Sequence, residues 1–293
     1  MPWFSYHGGH SGQFSCHAKD RLEEIVLRAI ELGFTHYGLS EHCPRYSAEV
    51  LFPEELELGV EGLQRLFRDY VVEARELQER YADRIEILIG YETENLPLQN
   101  WKSVMRGLRE EHHFDYCVGS VHHLDTQWVD FSKEEQCSLA EARGGREQMQ
   151  ADYFDAVAEL VDALRPEVVG HIDLVRKFDG ADARFSPQVF AHIERALESV
   201  AAAGSRLDVN SGAFRKGLSP VYPLPEILVR AREMGIGVTL GDDGHGVATV
   251  GVGLDEAMRV IAAAGYAAVD HLSRRDGEVQ WVSASIDTVA PKP

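Results

Sequence analysis

The sequence predicts an α/β protein in which seven β–α units form one closed or nearly closed parallel barrel. Short β-branched or aromatic segments alternate with amphipathic segments along the chain. No Ser-, Pro- or Gly-rich linker divides the chain, so residues 1–293 are expected to form a single domain. An open nucleotide-binding sheet is less favoured, because "GVGLDEA" lacks the third glycine of a dinucleotide turn and no phosphate-loop GxxxxGK(S/T) occurs.

Seven segments have the composition of buried parallel strands, and each is followed by a polar or helical segment. In chain order they are "PWFSYH", "THYGLSEH", "RIEILIGYE", "FDYCVGSVH", "EVVGH", "SRLDVN" and "GVTLGDD".

The amphipathic segments predict helices near residues 20–32, 62–82, 101–112, 146–164, 187–203 and 223–234. Glycines such as Gly33, Gly204 and Gly235 follow helical segments and are the expected stop signals. Residues 125–145 form the longest stretch without a regular pattern, and we expect a lid or an insertion there.

The chain is acidic, with 29 basic and 48 acidic residues and a formal charge of −19. This charge repels nucleic acid and anionic membranes, so neither is expected as a partner. The four cysteines include no CxxC pair, no secretory signal opens the chain, and no apolar run is long enough for a membrane span. A cytoplasmic location is therefore expected.

Potential metal ligands follow nearly every predicted strand. They are His7 and His10, Glu41 and His42, Glu92, His122 and His123, His171, Asn210, and Asp243 and His245. Any one of them alone is more often a solvated, capping or core residue. Because barrel strands present their chemistry at their carboxyl ends, the set together indicates one metal centre.

Imidazoles and carboxylates that converge in this way suit zinc, iron or manganese, with a carboxylate bridging two ions. Such a centre favours hydrolysis of an anionic ester. Other hydrolytic chemistries are weakly supported: "CHAKDR" is one residue too short for a cysteine-phosphatase loop, and neither an aspartyl-phosphatase DxDxT nor a GxSxG elbow is present.

Seven motifs carry a family resemblance: "HSGQFSCHA", "GLSEHCPRY", "ILIGYETE", "GSVHHL", "VVGHIDLVRKF", "LDVNSGAFRKG" and "TLGDDGHGVATVG". In this order, over about residues 4 to 255, they resemble histidinol phosphatases of the polymerase and histidinol phosphatase (PHP) superfamily, and the fungal type in particular. The resemblance implies a distorted (β/α)7 barrel with three divalent metal ions that hydrolyses L-histidinol phosphate in histidine biosynthesis.

The resemblance also implies three ligand sets. The first is His10, Glu92 and Asp243; the second is Glu92, His122 and His171; the third is His17, His42 and His245. Glu92 would bridge the first two ions, and Glu92, Asp243 and His245 would be the residues closest to the reaction.

For the substrate, the resemblance assigns Arg176 and Arg215 to the phosphate, which suits the bidentate geometry of guanidinium groups. Asn210 is expected to orient the substrate or a loop rather than to bind metal. The substrate amine could pair with Glu94 or with Asp173, and the sequence does not choose between them.

One departure from the family pattern falls at the first strand. The family has HxH ending at the position of His10, so its first ligand falls on Gly8, and this chain has His7 one residue earlier. Strand alternation points His7 away from the metal, whereas a bulge at Gly8 and Gly9 could turn it inward. A missing ligand is the favoured expectation.

Two alternatives to histidinol phosphate hydrolysis remain open. The same metal centre could act on another small phosphorylated substrate. The barrel could also have lost efficient catalysis through Gly8 and bind only metal or a phosphorylated ligand.

Overall fold

The computed structural model describes residues 2–96, 99–180, 184–215 and 221–290, with only the backbone of Phe214 and Arg215. In this part of the chain the strands are β1 (Phe4–Ser5), β2 (His36–His42), β3 (Glu86–Thr93), β4 (Val118–Gly119), β5 (His123–Leu124), β6 (Gln127–Trp128), β7 (Val168–Val169), β8 (Arg206–Asn210), β9 (Val238–Gly241), β10 (Ala268–Arg275) and β11 (Glu278–Ser285). The helices are α1 (Leu22–Glu31), α2 (Gly59–Arg80), α3 (Trp101–His112), α4 (Lys133–Ala142), α5 (Arg146–Leu164), α6 (Pro187–Ala203), α7 (Gly212–Arg215), α8 (Pro225–Glu233) and α9 (Leu254–Ala263).

Seven parallel strands form the barrel in the order β1-β2-β3-β4-β7-β8-β9. The backbone after β1 closes it against β9, because Tyr6 N donates to Leu240 O at 2.9 Å and Asp243 N donates to His7 O at 2.7 Å. The predicted seven-unit barrel is therefore confirmed. All of its strand carboxyl ends meet at one rim.

Local sequence signals explain why the elements begin and end where they do. The Ser186 side chain accepts the backbone N–H of Val189, and Pro187 occupies the first turn of α6. Gly204 ends the same helix in the left-handed conformation, with φ 73°. β3 is buried along nearly its whole length, as expected of a strand covered on both faces.

A C-terminal hairpin of β10 and β11 covers the amino ends of the barrel strands. Tyr6 donates its hydroxyl hydrogen to Leu272 O, and Glu86 at the start of β3 accepts from Arg274 N and Ser273 Oγ. The hairpin therefore lies at the end of the barrel opposite the strand carboxyl ends.

The segment 125–145 is more regular than the sequence predicts. It contains β6, which pairs with β5, and helix α4. The side chain of Gln136 donates to Val129 O at 2.7 Å and to Val175 O at 2.8 Å, which fixes α4 to the segments that follow β6 and β7. The expectation of an irregular stretch is wrong, whereas a role as a lid stays a prediction.

None of the helices described here has both the length and the apolar character that crossing a membrane would require. Cys16, Cys43, Cys117 and Cys137 are all free thiols.

Candidate active site

A cavity of about 390 Å³ opens at the carboxyl ends of the barrel strands. The residues predicted as ligands that line it are His17, His42, Glu92, His122, His171, Asp243 and His245. His7 and His10 are fully buried, and both contact members of this set. The barrel thus brings together the eight residues of the implied ligand sets and, with them, His7.

Glu92 lies at the centre of the cluster and is 1% exposed. Its Oε2 atom is 2.7 Å from His42 Nδ1. Its Oε1 atom is 3.1 Å from His7 Nε2, 3.3 Å from His171 Nε2 and 3.6 Å from His122 Nε2. One carboxylate oxygen therefore faces three imidazoles and the other faces a fourth, as a bridging ligand requires.

Asp243 is the second acidic centre. Its Oδ1 atom is 3.8 Å from His10 Nε2, 4.0 Å from His7 Nε2 and 3.6 Å from His245 Nδ1. The side chain of His245 also makes a 2.8 Å hydrogen bond through Nδ1 to the carbonyl oxygen of Asp243. This contact directs Nε2 of His245 away from the backbone.

Among the residues that the structure describes, three groups of side chains offer ligand atoms close enough to share an ion: His10, His42 and His245; His7, Glu92 and His171; and His7, His10 and Asp243. Each of these groups shares two residues with one of the ligand sets implied by the sequence. His7 belongs to two of the three groups. His17 lies beside the first group, with its Nε2 atom 2.9 Å from that of His42.

The donor set fits divalent metal ions. His7 Nε2 and both Glu92 oxygens are buried and make no hydrogen bond of regular geometry with any described residue. Buried polar atoms left in this way cost about 1–3 kcal/mol each, and more when they are charged. A cation at their meeting point would remove that cost, and nitrogen and carboxylate donors suit zinc, manganese or iron.

Two members of the cluster, Glu92 and His17, have pKa values shifted towards the forms that bind metal, whereas the pKa of His7 is raised, because Glu92 and Asp208 outweigh the effect of its burial. Burial alone would raise the pKa of Glu92, but the histidines His7, His42 and His122 hold it well below the ordinary value. Burial, together with His245 and other neighbours, lowers the pKa of His17 to about 4. Metal binding requires the carboxylate form of Glu92 and the neutral form of each ligating imidazole, so a bound cation would take the place of the histidine protons.

The expectation that His7 faces away from the centre is wrong. β1 ends at Ser5, so strand alternation does not extend to His7. Gly8 and Gly9 follow with φ 156° and φ 76°, conformations that other residues rarely adopt, and they turn the chain so that the His7 ring is buried among the ligands.

Asn210 does not line the cavity, which corrects its assignment as a substrate-binding residue. It is fully buried, and its Nδ2 group donates to Asp208 Oδ2 at 2.8 Å. Its Oδ1 atom accepts from Gly212 N at 2.7 Å. Asn210 therefore orients the loop after β8, which is the other role that the sequence allowed.

Arg176 lies beside the site, with its side chain fully buried. It donates to Asp173 Oδ2 at 2.6 Å and to Val221 O, and its guanidinium carbon lies 4.5 Å from the ring centroid of Tyr222. Direct phosphate contact would require Arg176 to exchange these partners, so that role stays a prediction. The side chain of Arg215 lies outside the described part of the chain.

Of the outer part of the cavity, the sequence indicated only Glu94. The lining residues that it missed are Arg45, Phe52, Glu54, Trp128, Asp130, Phe131, Leu174 and Lys177. Arg45 carried a signal, because it follows the strand-end residue His42 by three positions in "HCPR". Its charge is balanced by Glu94 and by Glu55, at 3.5 Å. Of the two candidates for the substrate amine, Glu94 lines the cavity and Asp173 is buried against Arg176.

Aromatic residues form one wall of this outer part. Phe52 and Trp128 stack with ring centroids 4.1 Å apart, and Phe131 packs on Phe52 at 5.7 Å. Phe52 also lies 5.7 Å from the ring of His17. We call these three residues the aromatic wall; it begins directly beside the histidine cluster.

Comparisons with known proteins agree with the fold and the site. The model of the PHP domain family matches residues 7–212. A Schizosaccharomyces pombe protein named "Probable histidinol-phosphatase" is 39% identical over 86% of this chain and 83% of its own. The Saccharomyces cerevisiae histidinol-phosphatase is 30% identical over 87% of each chain.

Two solved structures have the same fold. One, from Listeria monocytogenes, is 28% identical with a TM-score of 0.77 and covers 86% of this chain and 99% of its own. The other is the Lactococcus lactis histidinol phosphate phosphatase complexed with zinc, L-histidinol and phosphate, which is 22% identical with a TM-score of 0.72 over 95% and 98% of the two chains. The extent of the family match and the identity to the yeast proteins show that this chain belongs to the PHP domain family and groups there with the histidinol phosphatases.

Proposed function

We propose that this chain is a metal-dependent phosphomonoesterase that hydrolyses L-histidinol phosphate to L-histidinol and phosphate in histidine biosynthesis. The observation that carries the proposal is the buried cluster of imidazoles around Glu92 at the floor of the cavity. The names of the two yeast relatives, at 39% and 30% identity, support the substrate. A cytoplasmic location is part of the proposal.

The proposed cofactors are three divalent ions, drawn from zinc, manganese and iron. When bound, such ions supply a nucleophilic water at neutral pH and neutralise the oxygens of the phosphoryl group. Glu92, whose two oxygens face different imidazoles, would hold two of them. Asp243 and His245 approach the cavity from the loop after β9, with His245 fixed by its hydrogen bond to the Asp243 carbonyl.

Cationic side chains of this chain would hold the substrate phosphate. Arg176 and Arg215 keep this role as a proposal, and Lys177 joins them because it lines the cavity. Its ammonium group lies 3.1 Å from Asp130 Oδ2 and also donates to the Asp130 carbonyl oxygen. In a chain of charge −19, such local cations are needed to attract a dianion.

The aromatic wall suits the planar ring of the leaving alcohol. A phosphate held beside His17 would leave the rest of the substrate near Phe52, and Phe131 is 47% exposed at the mouth. Glu54, which also lines the cavity, adds a carboxylate that can attract the positively charged amine. We propose that this surface selects a cationic, ring-bearing phosphate ester.

Replacing Phe131 with alanine is expected to raise KM for L-histidinol phosphate and leave kcat nearly unchanged. Loss of one aromatic contact of about 0.5–1.5 kcal/mol corresponds to a two- to tenfold change. Steady-state kinetics on L-histidinol phosphate and on phosphoethanolamine, which has no ring, provide the comparison. Val72→Ala, at an exposed position of α2, is the matched control. An equal loss on both substrates would contradict a role in ring recognition.

The proposed function is tested by phosphate release from L-histidinol phosphate and from a panel of other phosphomonoesters, with zinc, manganese or iron added back to chelated protein. We expect L-histidinol phosphate to have the highest kcat/KM. A higher value for another ester would favour the alternative substrate. Metal binding without turnover of any ester would favour the binding-only alternative.

A further inference from the structure

Asp208 lies directly behind His7, on the side away from the cavity. It is fully buried on β8, and its Oδ2 atom is 2.7 Å from His7 Nδ1. The other ring nitrogen, His7 Nε2, is 3.1 Å from Glu92 Oε1 and 4.0 Å from Asp243 Oδ1. The two nitrogens of one imidazole therefore face a supporting carboxylate and the candidate metal centre, respectively.

The carboxylate is itself fixed in place. Asn210 Nδ2 donates to the same Oδ2 atom at 2.8 Å, and the Asn210 amide is held by Gly212 N. Gly241 on β9 packs against the pair, since a Cβ there would overlap Asp208 Oδ1 and lie 2.8 Å from His7 Cβ. Both the ring and the carboxylate are fully buried at this contact.

A neutral imidazole has one ring proton, and its position decides which nitrogen can bind a metal ion. An ionised carboxylate next to Nδ1 accepts that proton in a charge-assisted hydrogen bond, which leaves the lone pair on Nε2. Two other histidines of the cluster have different contacts at this ring nitrogen. Nδ1 of His10 is 3.4 Å from Glu41 Oε1, and Nδ1 of His245 faces a neutral backbone carbonyl.

We propose that Asp208 is a positioning residue that fixes the His7 tautomer and presents Nε2 to the metal centre. Asp208 acts through His7 and touches no substrate. This role also explains how His7 can act as a metal ligand although it stands one residue before the family position. The carboxylate that orients its ring comes from β8 and not from the strand that precedes His7. The inference rests on the proposed metal site but not on the identity of the substrate.

The first measurement is zinc affinity, determined by chelator competition, for wild type, Asp208→Asn and Asp208→Ala. Loss of such a supporting carboxylate weakens metal binding by about 10- to 100-fold. We expect the larger loss for alanine and a smaller one for asparagine, whose carbonyl oxygen still accepts a hydrogen bond. Excess zinc should restore kcat, which it would not do if Asp208 only maintained the fold.

The second measurement asks whether Asp208 acts through His7. In a His7→Ala background, Asp208→Ala should add little further loss of zinc affinity, because coupled residues are non-additive. Zinc-loaded, 15N-labelled wild type should also show a hydrogen-bonded ring N–H signal that is absent in both His7→Ala and Asp208→Ala. Asp270→Asn is the matched control. Asp270 is a buried carboxylate on β10, and it pairs with Arg206, which lies on β8 as Asp208 does but at the end far from the cavity.

Wild-type zinc affinity in both Asp208 variants would overturn the inference and leave the proposed function intact. The inference would also be overturned if Asp208→Ala lowered zinc affinity in the His7→Ala background as much as it does in wild type. Asp208 would then act on the metal site independently of His7. Wild-type protein that binds no divalent ion would instead overturn the proposed function, and the inference with it.

Discussion

Glu92→Gln is expected to abolish phosphate release and to lower the metal content of the purified protein, while the fold is retained. A neutral amide cannot offset the charges of two cations, and Glu92 is the residue whose two oxygens face different histidines. We expect kcat to fall by at least about 10³-fold, beyond the 10²–10³ typical of losing one transition-state contact. Elemental analysis and single-turnover kinetics measure the two effects.

The control for this variant lies on the same strand. Glu86 begins β3 at the opposite end of the barrel and binds the C-terminal hairpin through Ser273 and Arg274. Glu86→Gln should lower the thermal stability and keep metal content and kcat. Full metal occupancy with near-normal turnover in Glu92→Gln would show that Glu92 does not bridge ions.

Much of the architecture could be predicted from the sequence because its signals are local. The helix expected at 187–203 matches α6 at both ends, since Ser186, Pro187 and Gly204 define its boundaries chemically. The ligands at the strand ends could be predicted for a related reason. In a parallel barrel all strand carboxyl ends meet at one rim, so no knowledge of side-chain packing was needed to bring Glu92 and Asp243 together.

The parts that sequence reasoning missed either lack a local turn signal or depend on contacts distant along the chain. The turn between β5 and β6 has Asp125 with φ 54° and lacks the Asn-Gly or Asp-Gly pair that marks a tight hairpin. The aromatic wall forms only when residues around position 130 reach Phe52, nearly eighty positions earlier. Such pairings leave no periodic signal.

The pair formed by Asp276 and Gly277 illustrates the opposite case. It lies between β10 and β11, and both residues have positive φ, 52° and 88°, as a hairpin turn of this kind requires. The Asp-Gly signal was therefore present in the sequence, and the C-terminal hairpin could have been predicted from it.

His7 and Gly8 provide the sharpest test of the metal site, because the sequence and the structure predict opposite outcomes. His7→Ala is expected to lower metal stoichiometry and turnover strongly, since the ring enters two of the candidate ligand groups. Gly8→His, which would restore the family pattern, is expected to bring no gain. A Cβ at Gly8 would overlap Asp242 Oδ1, and φ 156° is strained for any other residue.

Gly8→Ala distinguishes the effect of a Cβ atom at position 8 from the effect of an imidazole there that could bind metal. If the close approach to Asp242 causes the defect, alanine and histidine at position 8 should lower stability and metal content to a similar extent, because the Cβ atom is common to both. Metal stoichiometry and thermal unfolding, measured for all three variants in one buffer, provide the test. A Gly8→His protein with more metal and faster turnover than wild type, together with a His7→Ala protein that keeps its metal, would mean that the His7 ring does not bind an ion. The backbone after β1 would then have to differ from the one in which Gly8 and Gly9 turn His7 towards Glu92.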